Sequence, residues 1–105
     1  MDETRFDELA DTELQALVQA LGALEDRCDI ELGGGILTIE FDDGTKFVVN
    51  SHRAARQIWL ATGLVASHCS PEEKSGRWLD SKTGADLRAI LADAVGRKLG
   101  APVSL

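Results

Sequence analysis

"GILTIEFDDGTKFVVN", residues 35–50, decides the fold. Leu37, Ile39 and Phe41 alternate with Ile36, Thr38 and Glu40, the two-residue period of a strand whose faces differ. Asp42, Asp43 and Gly44 interrupt the pattern, and Asp-Gly is a strong hairpin signal. "TKFVVN" then resumes as the second arm. An antiparallel pair is therefore expected at the centre of the chain, with one face apolar enough to be covered.

On the C-terminal side lies "RQIWLATG", residues 56–63. Ile58 and Leu60 share one parity and Trp59 has the other, so a strand here buries the aliphatic pair and turns the indole away. "GLVASHCSPEEKSG" reads as a loop, with His68 in it, and "RWLDS" as a last short strand. On the N-terminal side, "DIELG" reads as a first strand. The glycines of "LGGGIL" lead into a strand and do not open a helix, so they form a turn or bulge, not a phosphate cradle.

Helices flank the strands. From about Glu3 to Leu24, Phe6, Leu9, Ala10, Leu14, Leu17, Leu21 and Leu24 recur at three- and four-residue steps. From about Ala85 to Leu99, Leu87, Ile90, Leu91 and Ala94 form a buried stripe with Val95 at its edge. Thr83 and Asp86 have capping-box spacing, and Gly100 and Pro102 stop the helix. No helix falls between strands, so the sheet is expected to be antiparallel. The expected class is α+β: a two-layer sandwich with the N- and C-terminal helices packed on one face. The other face stays open, and Trp59 points there.

At 105 residues the chain reads as one domain, residues 1–105. Its 44% hydrophobic content supports a core, and no apolar run approaches the ~20 residues of a membrane span. The start, "MDETRFDELA", lacks the basic and apolar segments of a secretory leader. A cytoplasmic protein is expected, with Cys28 and Cys69 as free thiols. Residues 1–31 hold ten acids and two bases, whereas the rest holds eight acids and nine bases. This polarity disfavours nucleic acid, whose phosphates need a basic surface, and suits cations or a basic protein partner.

Glu3, Asp7 and Asp11, spaced i, i+4, i+8, stack on one helix face. Glu25, Asp26, Asp29 and Glu31 continue into the first strand. Oxygen-only ligands suit hard cations; a solvated acidic face is the bland alternative. His52 and His68 are lone histidines without metal-pair spacing. Neither cysteine has a basic cluster to activate it, and no catalytic triad is suggested.

Taken in order, "DIELGGGILTIEFDDGTKFVVN", with Asn50 closing its last strand, "QIWLAT" and "RWLDSKTG" resemble the frataxin family, its bacterial CyaY-type branch most closely. The resemblance spans nearly the whole chain. It implies an accessory protein of iron–sulfur cluster assembly that binds iron, Fe2+ or Fe3+, weakly and exchangeably on an acidic ridge of the first helix and first strand. The implied ridge is Glu3, Asp7, Asp11, Glu25, Asp26, Asp29 and Glu31. It further implies docking onto the cysteine desulfurase and the scaffold protein through the ridge and the open sheet face, here Trp59, Asn50 and His68. A monomer is expected without metal. The chain departs from the family where Val18, Gln19, Gly22 and Ala23 stand in the carboxylate-rich half of the helix. It departs again where Ser51 and His52 replace the usual turn and Ala54 or Ala55 a customary proline. Two other readings are a ferroxidase or iron store, disfavoured because no Glu-x-x-His pair exists, and an acidic interaction module without a metal role.

Overall fold

The computed structural model describes residues 1–63 and 65–105. Helix α1 spans Glu3–Leu21 and tightens into a 3-10 turn, Gly22–Leu24. Six strands follow: β1 Cys28–Gly33, β2 Ile36–Phe41, β3 Lys46–His52, β4 Gln57–Ala61, β5 Ala66–Glu72 and β6 Arg77–Asp80. Helix α2, Leu87–Leu99, closes the order. The strands pair in sequence, β1-β2-β3-β4-β5-β6, each antiparallel to the next. The expected two-layer α+β sandwich is the fold.

The hairpins explain the register. Gly34 and Gly35 both have positive φ, 60° and 77°, and form the two-residue link between β1 and β2. Both central residues of such a primed turn need that region, which glycine enters without steric cost. The Asp42–Gly44 turn is closed by the Phe41 amide donating to the Thr45 carbonyl at 2.9 Å.

Parity then sorts the side chains. Leu37, Ile39, Phe41, Phe47, Val49, Ile58, Leu60, Cys69 and Trp78 are buried with Phe6, Ala10, Leu14, Leu17 and Leu21 of α1 and Leu87, Leu91 and Val95 of α2. Phe6 meets Trp78 edge-on, ring centroids 5.8 Å apart.

Four local expectations are corrected. First, "GLVASHCSPEEKSG" is not a loop throughout, because Ala66–Glu72 within it is strand β5. Its inward residues are Ser67 and Cys69, so it lacks the aliphatic alternation that marks a strand; pairing with β4 and β6 supplies what propensity does not. His68 is therefore on a strand. Second, α2 is capped by Asp86, whose carboxylate accepts the Arg88 amide at 3.3 Å, and not by Thr83. Thr83 is already engaged: its amide and hydroxyl donate to Asp80 at 3.1 and 2.8 Å. Third, Val95 is fully buried while Ile90 and Ala94 are only partly so. The stripe runs Leu87, Leu91, Val95, because α2 lies on the sheet along its i, i+4, i+8 line. Fourth, α1 ends its regular turns at Leu21, not Leu24.

Glu13 lies on α1 beside Leu14 and Leu17. It is buried, and Arg88 holds it with two parallel hydrogen bonds of 2.9 and 2.7 Å. The paired carboxylate raises the Arg88 pKa. This bond ties α1 to α2.

Candidate docking face and acidic helix

Three sequence-predicted residues meet on the open face. Asn50, Trp59 and His68 are direct cross-strand partners on β3, β4 and β5. Ile36 of β2 extends the row opposite Asn50 and is 43% exposed. Trp59 is half-buried, while its neighbours Ile58 and Leu60 face the core at 0% and 2% exposure.

Two imidazoles and a side-chain amide hold the indole. His68 stacks on one face, centroids 4.4 Å apart at 18°, and His52 on the other, 3.8 Å apart at 14°. The indole N–H donates to Gln57 Oε1 at 2.9 Å. Gln57 in turn donates to Ser70 Oγ at 3.2 Å. Beside the ring lies a shallow cavity of about 200 Å³, lined by Val48, Asn50, Ala61, Ala66 and His68. Apolar walls with two polar side chains suit one aliphatic side chain of a partner.

Gln57 was not singled out from sequence, and His52, expected as a lone loop histidine, is instead the last residue of β3. β3 runs two residues beyond Asn50, which brings His52 diagonally across to Trp59, opposite Gln57. The run of alternation past Asn50 was the available signal, with Ser51 as its inward partner. The cross-strand register itself is not written in either strand alone.

The seven acids do not form one cluster. Glu3, Asp7 and Asp11 lie along α1. Asp7 is held by Arg53, Nε to Oδ1 at 3.1 Å and Nη2 to Oδ2 at 2.6 Å. Glu3 faces Arg53 at 3.9 Å and Arg56 at 3.8 Å. Asp11 has no ion-pair partner among the described residues; with Asp7, Glu8 and Arg53 it lines a groove of about 570 Å³ against Gly34, Gly35 and Ser51. Glu25 and Asp26 are exposed in the turn after α1. Asp29 and Glu31 alternate with the inward Cys28, Ile30 and Leu32, which puts them on the open side of β1, across from Glu40 and Thr38. Among the described residues no three His, Cys, Asp or Glu side chains converge to hold a metal ion. The carboxylates thus fall into separate groups: Glu3 and Asp7 against the arginines of the β3–β4 turn, Asp11 in the groove, Glu25 and Asp26 in the turn after α1, and Asp29 and Glu31 on the edge strand β1.

Both cysteines are buried free thiols, and burial disfavours their thiolate forms. Burial, with help from Asp80 and Asp86, pushes Cys69 up to about 12, and burial first, then Asp29, raises Cys28. Cys69 is fully buried, on the opposite face of β5 from His68. Among the described residues no helix is long and apolar enough to cross a membrane.

Known proteins share this arrangement. The family model for a frataxin-like domain matches residues 1–101. The iron-sulfur cluster assembly protein CyaY of Vibrio cholerae is 32% identical over 103 residues, 98% of this chain and 97% of that one. CyaY of Tolumonas auensis is 31% identical over 105 residues, covering 100% and 99%. Among solved structures, frataxin from Psychromonas ingrahamii superposes with a TM-score of 0.90 at 27% identity, covering 99% of this chain and 97% of that one. Trimeric yeast frataxin complexed with ferrous iron gives 0.76 at 28% identity, covering 88% and 86%. The family model and these relatives cover nearly the whole chain, and the chain belongs to the frataxin family.

Proposed function

We propose that this protein is an accessory factor of iron–sulfur cluster assembly that acts by docking on the cysteine desulfurase–scaffold complex, as an iron-dependent regulator or an iron donor. The observation that carries this is Trp59, a half-buried indole fixed on the uncovered sheet face beside a shallow cavity. A folded chain gains nothing by displaying an indole, whereas desolvating one in an interface makes a hot spot. The relatives named for iron–sulfur cluster assembly supply the pathway.

Asn50, Trp59 and His68 form the docking row. Glu3, Asp7, Asp11, Glu25, Asp26, Asp29 and Glu31 steer a basic partner surface and take iron weakly; the ferrous complex of the yeast relative supports that cargo. Exposed carboxylates without a rigid cage exchange ions fast and select poorly. The deciding experiment measures binding of wild type and Trp59→Ala to the purified desulfurase–scaffold complex. A tenfold or greater loss is expected, and an unchanged Kd refutes docking through this face.

A second reading is an acidic interaction module without a metal role. It is favoured by the arginines already seated on Glu3 and Asp7. An anaerobic ferrous titration read by amide chemical shifts separates the two. Shifts or broadening at Asp11, Glu25 and Asp26 support iron binding, and no change at millimolar iron supports the module.

A further inference from the structure

We infer that the β3–β4 turn is a latch between α1 and the docking face, and that Arg53 is a positioning residue for Trp59. The inference deepens the docking reading and rests on it for the partner's side.

The turn is short, and its contacts run in two directions. Towards the open face, His52 stacks on Trp59 and its Nδ1 accepts the Ala55 amide at 3.3 Å. Towards the helix, the next residue, Arg53, holds Asp7 by two hydrogen bonds and approaches Glu3. Arg56 closes the turn, its amide donating to the Arg53 carbonyl at 3.0 Å and its guanidinium bonding the same oxygen. That guanidinium also reaches the Met1 carbonyl at 3.3 Å and Glu3 at 3.8 Å.

Arg56 sits at φ 53°, the left-handed region, the one such non-glycine residue among those described. A side chain is held there only when its surroundings over-determine it. The surroundings here are the start of α1. The strained turn, the first two turns of α1 and the imidazole on Trp59 therefore stand or fall together.

A direction follows. A cation on Glu3 or Asp7 competes with Arg53 and Arg56 for the same oxygens. Releasing the arginines frees the turn to relax, and His52 then loses the seat that presses it on the indole. Binding at the helix and docking at Trp59 oppose each other, and the opposition is reciprocal.

Two indole signals make the test internal, because Trp78 is buried in the core and reports the fold. In metal-free protein, Arg53→Gln and Asp7→Asn should each move the Trp59 indole signal and speed exchange of the Ala55 amide, leaving Trp78 in place. Asp11→Asn, on the same helix without an arginine partner, should do neither. Binding to the desulfurase–scaffold complex should weaken about two- to fivefold in Arg53→Gln. That loss should vanish in a Trp59→Ala background, a coupling that a purely structural role would not produce. The latch is overturned if Trp59 and Ala55 are unmoved in both variants, or if Asp11→Asn moves them equally. It is also overturned if Arg53→Gln weakens binding just as much without Trp59. If Trp59→Ala itself binds normally, the docking reading fails, while the metal-free spectra still decide the latch.

Discussion

Trp59 and Leu60 are adjacent and serve opposite ends. Leu60 is 2% exposed in the core, and Trp59 stands on the other side of the same strand. Truncating Leu60 removes packed methyl groups and leaves a cavity, so Leu60→Ala should destabilise by ~2–5 kcal/mol in denaturant melts. Trp59→Ala removes an indole whose partners, His52, His68 and Gln57, can all turn to water. It should cost the fold far less while weakening partner binding tenfold or more, ~1.4 kcal/mol per decade. If Trp59→Ala unfolds the protein and the folded fraction binds normally, Trp59 is a core residue. This parity was legible in "RQIWLATG" because strand alternation is local. The imidazoles stacked on Trp59 were not legible, because they arrive from β3 and β5 through the register of two other hairpins.

Legibility failed in the same way for larger pieces. The β2–β3 hairpin was readable because its apolar alternation and its Asp-Gly turn agree. β5 was not, because Ser67 and Cys69 are its inward residues and Pro71 lies within it. What secures β5 is tertiary: the Asp80 carboxylate, 8% exposed, accepts the His68 amide at 3.2 Å and both Thr83 donors. The Thr83 hydroxyl and these amides hold the Asp80 pKa below the usual carboxylate range. A depressed folded-state pKa contributes stability above the unfolded value, ~3.9, and loses it as pH falls through the folded value. Asp80→Asn should therefore lower the melting temperature at neutral pH and flatten the acid limb of the stability curve. An unchanged acid limb would show that Asp80 is not the group titrating. The helix pair makes a parallel case. Arg88 is 41% exposed at its side chain and Glu13 only 7%. Arg88→Ala strands a buried carboxylate, whereas Glu13→Ala leaves an arginine that reaches water. The first should cost ~2–4 kcal/mol and the second ~1–2 in chemical melts. Equal costs would mean that the carboxylate is solvated without its partner.

Charge is the property that no single strand or helix owns. Ten acids lie within the first 31 residues, and the net charge is −7. Some of that charge is neutralised across the fold: Arg53 on Asp7, Arg56 on Glu3, Lys98 on Asp43. Asp29 is worse than unpaired, since its cross-strand partner is Glu40, and like charges set opposite each other oppose pairing. Salt acts on both sides. It screens exposed ion pairs, each worth ~0–1 kcal/mol, and it screens the repulsion among Asp11, Glu25, Asp26, Asp29, Glu31 and Glu40. The repulsion involves more groups and a net excess of one sign, so screening it should dominate. The melting temperature should rise with added sodium chloride. It should rise further with a divalent cation at equal ionic strength, because direct binding adds to screening. Asp29→Asn should reproduce part of the gain in low salt, where a cross-strand like-charge pair costs ~0.2–1 kcal/mol, and lose its advantage at high salt. A melting temperature flat or falling with salt, or an Asp29→Asn gain that persists at high salt, would mean that the acids sit on this fold without strain. The carboxylates would then have no reserve of repulsion for a cation or a basic partner to relieve.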